Sequence, residues 1–343
     1  MTARRPARES NAAADASLPL LRRFPALAAL SRVRLGTFPT PLEHIDAALP
    51  GLWVKREDMT GEPLGGNKVR SLEFLLGGVR PGDRVTTVGA AGSTHVLATV
   101  TYARVIGAEP LVYRWRQEMN PIARRVAERI TRELGNGHAP VSRTIAGAYA
   151  RALLARLRGA RWVPAGGSTP LGVLGQVNAG LELAQQIADG LMPPPDRVVV
   201  PLGTGGTAAG IALGLGVAGL RTAVVGVRVV PRIVANRAHI RRLIAQTARL
   251  IERMTKEPVA QPVPIRVVHH FYGGAYGRAT AAGDVATQRA SRSGIAIDAT
   301  YSAKALAAAI DLAELHKGTT LFWLSFDGRW LPPGDVVALG RQR

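Results

Sequence analysis

Two short segments carry residues whose types and spacing could do chemistry. In Leu64-Gly65-Gly66-Asn67-Lys68 a glycine turn leads into a run with helical apolar spacing. A lysine at such a turn can be enclosed by flanking segments, kept unprotonated and made to condense with an aldehyde. Taken alone, Lys68 reads better as a surface cation near a helix start, a mildly unfavourable but common place for one. The chain has 44 basic residues, and only Lys55, Lys68, Lys256, Lys304 and Lys317 among them are lysines. Arginine carries charge anywhere a lysine can but does not deprotonate, so a retained lysine gains weight as a chemical group. The second segment is Gly203-Thr204-Gly205-Gly206-Thr207, which follows the valine run Val198–Val200. Glycines there let backbone N–H groups converge on an anion, a following helix adds its dipole, and Thr204 and Thr207 add hydroxyl donors. The segment lacks the lysine of a Walker loop and lies far from any N-terminal dinucleotide fingerprint. A tight strand-to-helix turn is the plainer alternative.

Both segments need a scaffold, and the order of elements suggests one. LWVKRED reads as a strand, KVRSLEFLL as a helix, and DRVTTVGAAGSTHVLATVTYARVIGAEPLVYRW as strand, glycine turn, helix and strand. VPAGGSTPLGVLGQVNAGLELAQQIADG begins as a loop and becomes a helix. RVVVPLGTGGTAAGIALGLG gives strand, loop and helix, TAVVGVRVV a further strand, and GIAIDATYSAKALAAAIDLAEL with TTLFWLSFDG close the sheet. Such alternation predicts an α/β protein with mostly parallel sheets. Phe322 and Trp323 fall in its core. A length of 343 residues exceeds what one core usually serves, which predicts two lobes.

Composition excludes several classes. There is no cysteine, so disulfides, zinc-thiolate sites, iron-sulfur clusters and a cysteine nucleophile are impossible. No His/Asp/Glu grouping has ligand spacing, so no metal is expected. The charge is strongly positive, with 44 basic against 24 acidic residues. Aromatics are only 5% of the chain, too few to interleave with the arginines, and a solvated basic surface is expected in place of a specific nucleic-acid site. The densest basic segment, RIVANRAHIRRLIAQTARLIERM, places Ile233, Ile240, Leu243 and Ile244 at helical spacing, with its arginines outward. Residues 1–33 are arginine-rich, their apolar stretch is interrupted by Arg22 and Arg23, and they are expected to form a disordered leader. No run suggests a membrane span, since the glycine-studded segment from Val198 to Leu220 is broken, and a cytoplasmic protein is expected.

Read together, the segments resemble a family. Lys55-Arg56-Glu57-Asp58, Gly65-Gly66-Asn67-Lys68, Gly92-Ser93-Thr94-His95, AGGSTPLGVLG at 165–175, GTGGTAAG at 203–210 and DATYSAK at 298–304 fall in the order of pyridoxal-phosphate enzymes of the tryptophan-synthase-β type. More narrowly the chain is similar to the 1-aminocyclopropane-1-carboxylate deaminase and D-cysteine desulfhydrase branch, over about residues 34–328. The resemblance implies a two-domain, three-layer fold, the second pyridoxal-phosphate fold type. It places a large cofactor domain at 34–68 plus 178–343 and a small domain at 69–177. It implies pyridoxal 5'-phosphate as cofactor, with Lys68 forming the Schiff base and shuttling the α-proton. Gly203, Thr204, Gly205, Gly206 and Thr207 would hold the phosphate, Ser302 would face the pyridine nitrogen and Thr94 would lie beside the ring. Ser93, Tyr276 and Tyr301 would flank the substrate. A small amino-acid substrate and a homodimer are implied as well.

Within that branch the resemblance points to a lyase. The deaminases carry an acidic residue where this chain has Ser302, and the desulfhydrases a threonine. A hydroxyl suits β-elimination from a small amino acid, of D configuration by resemblance, giving a 2-oxo acid and ammonia. Cyclopropane opening, β-replacement and a cofactor-binding scaffold without turnover are the alternatives. The chain departs from the branch at Gly92 and Thr94, where relatives show glutamine and asparagine. It departs again at Ala299-Thr300 and at Ser325-Phe326-Asp327, where Phe326 stands in place of a glycine.

Overall fold

The computed structural model describes residues 18–45, 51–135 and 141–332. Among the described residues ten strands form two sheets. In chain order they are β1 (Leu42–His44), β2 (Leu52–Arg56), β3 (Arg84–Ala90), β4 (Glu109–Trp115) and β5 (Val141–Ser142). They continue with β6 (Arg161–Val163), β7 (Arg197–Leu202), β8 (Ala223–Arg228), β9 (Ile265–Val268) and β10 (Thr320–Leu324). The larger sheet has the order β1-β2-β10-β7-β8-β9 and the smaller β5-β4-β3-β6. Every pairing is parallel except β1 with β2. This is the mostly parallel α/β fold expected from the alternation of elements. The sequence reading passed over β1, β5, β6 and β9, each only two to four residues long.

Period-2 alternation divides the large sheet's side chains between two cores. Val198, Val200, Leu202, Leu321 and Trp323 face one way, under the helices Pro170–Ala188, Gly206–Val217 and Arg237–Thr255. Val54, Val199, Val227, Phe322 and Leu324 face the other, under Ala281–Arg292 and Ser302–Leu315. Phe322 and Trp323 are thus both core residues on opposite faces of one strand. Being covered on both sides is why these strands read as unbroken apolar runs. A third core lies between the small sheet and the helices Lys68–Leu75, Thr94–Val105 and Pro121–Leu134.

Two expectations are corrected. The leader was expected to be disordered through residue 33, yet a helix spans Pro19–Arg23 and Leu18, Leu20, Leu21, Phe24 and Leu27 are buried in the main core. Arg22 and Arg23 interrupt the apolar run in sequence but project outward, one helical face being enough to dock the segment. The remainder of the expected leader, residues 1–17, lies outside the described residues. Ile233 was expected on the inner face of the basic helix, but that helix begins at Arg237, after an Asn236 cap, and Ile233 is 87% exposed. Ile240, Leu243 and Ile244 are buried as expected. The strands between 84 and 163 make up the small sheet and all others the large one, while the expected boundary at 177/178 falls inside the single helix Pro170–Ala188. Among the described residues no helix is long and apolar enough to cross a membrane.

Candidate active site

A cavity of about 620 Å³ opens between the two sheets. It is lined by Lys68, Ser93, Thr94, Gly203 to Thr207, Tyr276 and Tyr301, so nearly every residue singled out by sequence meets there. Ser302 is the exception: it is fully buried, next to Tyr301 at the start of the helix Ser302–Leu315, and is not in the lining.

Lys68 is the first residue of its helix and follows Asn67, whose side chain makes no capping hydrogen bond. Its side chain is half-buried and Nζ donates one long hydrogen bond, 3.4 Å, to the Gly166 carbonyl. With no carboxylate partner to offset desolvation, its pKa is pulled down to about 8. A substantial fraction of the amine is therefore neutral near pH 7.5, the nucleophilic form. His95, also in the lining, meets Thr87 Oγ1 at 3.1 Å and is kept neutral by burial, with Lys68 adding to the effect, its pKa falling to about 3.

The strand β7 delivers the chain to the loop Gly203–Gly205, and the helix Gly206–Val217 starts immediately after. Gly205 sits at φ 88°, a conformation that side-chain-bearing residues rarely adopt, and turns the chain so that the first helical N–H groups face the cavity. Those of Gly206, Thr207 and Ala208 have no acceptor within the helix. Gly206 N–H is taken by Ser168 Oγ at 3.2 Å, and that hydroxyl also meets Thr204 Oγ1 at 2.6 Å. The loop lies so close to Gly166 that a Cβ there would stand 2.1 Å from Thr204 Oγ1. Asn67 Nδ2 donates to Thr207 Oγ1 at 2.7 Å, joining the lysine's turn directly to the phosphate candidate. Ser168, Gly166, Asn67 and Ala208 were not assigned roles from sequence. All four lie inside the motifs at 65–68, 165–175 and 203–210, and that proximity in sequence was the available signal.

Tyr276 and Tyr301 are hydrogen-bonded hydroxyl to hydroxyl, with rings 5.8 Å apart and nearly perpendicular. Burial pushes the Tyr276 hydroxyl up to about 12 and that of Tyr301 well above its ordinary range, so both hold their protons. Asp298 accepts the backbone N–H groups of Tyr301 and Ser302 at 2.8 and 3.0 Å and fixes this corner. Ser93 caps the helix Thr94–Val105, its Oγ 3.5 Å from Val96 N. Gly92 N–H donates to Gln117 Oε1 at 3.0 Å, and both Gln117 and Phe326 line the cavity.

Pyridoxal phosphate fits these groups. An anion cradle at a helix N-terminus, a lysine with a lowered pKa in the same cavity and the hydroxyl of Ser302, buried next to Tyr301, match its phosphate, aldehyde and ring nitrogen. Comparison with known proteins agrees. The family described as "Pyridoxal-phosphate dependent enzyme" matches residues 33–325. Nocardicin C-9' epimerase of Nocardia uniformis is 35% identical over 310 residues, covering 87% of this chain and 93% of that protein. A D-cysteine desulfhydrase of Salmonella paratyphi C is 31% identical over 319 residues, covering 85% and 89%. The crystal structure of a 1-aminocyclopropane-1-carboxylate deaminase homologue superposes with a TM-score of 0.73 at 26% identity, covering 92% of this chain and 98% of that one. The cavity chemistry and these matches agree: the chain belongs to the family of pyridoxal-phosphate dependent enzymes.

Proposed function

We propose that this enzyme removes the α-proton of a D-configured amino acid and eliminates its β-substituent, releasing a 2-oxo acid and ammonia, with D-cysteine as the simplest substrate. The observation that carries the reading is Lys68, an amine drawn down to about 8 in the same cavity as the tyrosine pair and the glycine-threonine loop. Bound pyridoxal phosphate supplies an electron-accepting ring for the pair left when the α C–H bond breaks. In this reading Gly203 to Thr207 and Ala208 would hold its phosphate, Thr94 would serve the ring and the Ser302 hydroxyl would serve its nitrogen. Lys68 takes the α-proton at Nζ. Tyr276 and Tyr301, both protonated, hold the substrate and can give a proton to the departing β-group. Ser93 binds the carboxylate, and Phe326 excludes water from the ring side. A hydroxyl, not a carboxylate, opposite the ring nitrogen favours substrates with a good leaving group, which supports desulfhydration over cyclopropane opening.

Incubating the holoenzyme with D-cysteine, L-cysteine, D-serine and 1-aminocyclopropane-1-carboxylate while measuring 2-oxo acid tests this. D-Cysteine is expected to give pyruvate and sulfide fastest, and 2-oxo acid from none of the four would overturn the proposal. The apoprotein gives a second check. Its rate of combination with pyridoxal phosphate, followed by visible absorbance, is expected to rise with pH and to level off above about 8, because only neutral Lys68 reacts. An ordinary lysine would keep accelerating up to about 10.5.

Epimerisation is a second reading, favoured by the presence of two separate proton carriers, Lys68 and the tyrosine pair, in one cavity. In heavy water it would exchange the α-proton of a substrate without forming 2-oxo acid, which proton NMR distinguishes directly.

A further inference from the structure

The cavity continues well past the residues used above. Its volume, about 620 Å³, falls within the roughly 300–1,000 Å³ of pockets that enclose drug-sized ligands, and it holds the cofactor and the amino acid together. One outer wall carries Trp115, Arg116, Arg143, Ile145 and Tyr149, and Val230, Pro231 and Val234 line the cavity from the segment after β8.

Apolar surface is left uncovered along these walls: Ile145 is 55% exposed, Tyr149 41% and Val234 38%. Tyr149 stacks on Trp115, with ring centroids 6.0 Å apart and planes at 18°, and meets the edge of Trp162 at 6.4 Å. The result is a braced aromatic shelf that can receive another ring at low entropic cost. Charge on the same wall is one-sided. Among the described residues neither Arg116 nor Arg143 makes an ion pair, and Glu118, the sole carboxylate in the lining, is paired with Arg278 at 3.2 Å. A cleft lined by one sign of charge attracts the opposite sign.

We infer that the cavity takes an amino acid with a long side chain, an aromatic body that lies on the Trp115–Tyr149 shelf and a distal carboxylate that meets Arg116 and Arg143. The inference rests on the elimination reading only for what happens to such a substrate. With an S-(4-carboxybenzyl) D-cysteine, Lys68 takes the α-proton, the Cβ–S bond breaks with its electron pair on sulfur, and the thiolate takes up a proton. The remaining three-carbon unit gains one water and leaves as pyruvate and ammonia.

Binding and turnover are measured separately on the holoenzyme. The binding probes are D-homophenylalanine with and without a para-carboxylate, neither of which has a β-leaving group, followed by calorimetry. The carboxylated compound is expected to bind about tenfold more tightly, as charge-assisted contacts to two arginines allow. That advantage is expected to shrink to about twofold or less in the double variant Arg116→Gln/Arg143→Gln, whose Kd for the uncarboxylated compound stays the same. Tyr149→Ala is expected to weaken both. Equal binding of the two compounds, or an advantage that survives loss of both arginines, overturns the inference whatever the catalytic outcome. For turnover, S-(4-carboxybenzyl)-D-cysteine is expected to exceed D-cysteine in kcat/KM, and the double variant to lose that preference while keeping D-cysteine turnover. Arginine-dependent binding with no 2-oxo acid from any substrate would leave the pocket assignment standing and sink the elimination reading alone.

Discussion

Lys68→Ala is expected to lower kcat/KM for every amino acid by about 10⁴-fold, the combined loss of a covalent anchor and a positioned base. The visible band of lysine-bound pyridoxal phosphate should vanish with it. Fold should survive. Lys68 makes one 3.4 Å hydrogen bond to the Gly166 carbonyl, and its lowered pKa means that burial already penalises its charged form. Removing it therefore takes away a desolvated cation and leaves no partner stranded, and the thermal midpoint is expected to hold or rise slightly. Adding ethylamine to the variant should restore part of the activity by supplying the missing base. Turnover within tenfold of the parent enzyme would refute the assignment of Lys68.

The largest stability effect is expected from Glu182→Gln. Glu182 is buried in the helix Pro170–Ala188 and accepts from Lys55 Nζ at 2.7 Å and from Arg70 at 2.8 and 2.9 Å. Glu57 shares Arg70 through two 2.7 Å contacts, and Gln186 meets Lys55 Nζ at 2.6 Å. Neutralising one carboxylate leaves two buried cations against one anion. Breaking a buried pair in this way costs about 3–5 kcal/mol. The urea midpoint should fall accordingly, with an unchanged slope. Arg70 lies two residues beyond Lys68 in the same helix, so the network also holds the catalytic amine in place, and kcat should fall more than a mere change in folded fraction explains.

The pH dependence of that stability has a defined sign. Burial alone would raise the Glu182 pKa, but Arg70 and then Lys55 overcome it and draw it from 4.5 down to about 2. A depressed carboxylate pKa stabilises the fold fully above the unfolded value, and that stabilisation drains as pH falls through the folded one. The parent enzyme should therefore lose stability between about 4.5 and about 2, and Glu182→Gln should lose less across the same interval. The Lys55 pKa also falls, but for the opposite reason: burial outweighs the attraction of Glu182, so its charged form is tolerated in the network more than favoured.

Legibility from sequence followed the range of the interactions. Lys68 and Gly203 to Thr207 were readable because a turn before a helix and a strand ending in glycines are local features whose chemistry is written in adjacent residues. The parallel sheet was readable because strands covered on both faces leave unbroken valine and leucine runs. Ser168, whose hydroxyl caps the phosphate loop from 38 residues away, was not readable, since nothing near it in sequence names its partner. Lys55 and Glu57 are near neighbours in sequence, but only Arg70 and Glu182, the latter more than a hundred residues on, make them a buried network. The segment from Leu18 to Val33 was misread because two arginines mask an apolar face that a single helical turn resolves.

That segment has a consequence during synthesis. Leu18, Leu20, Leu21, Phe24 and Leu27 leave the ribosome well before the helices Pro170–Ala188 and Arg237–Thr255 that cover them, and Leu20 N–H donates to Asn178 Oδ1 at 3.0 Å. Five large apolar side chains must wait for helices that lie up to about two hundred residues further along the chain before they can dock, which marks this segment as a stretch in need of a chaperone during synthesis.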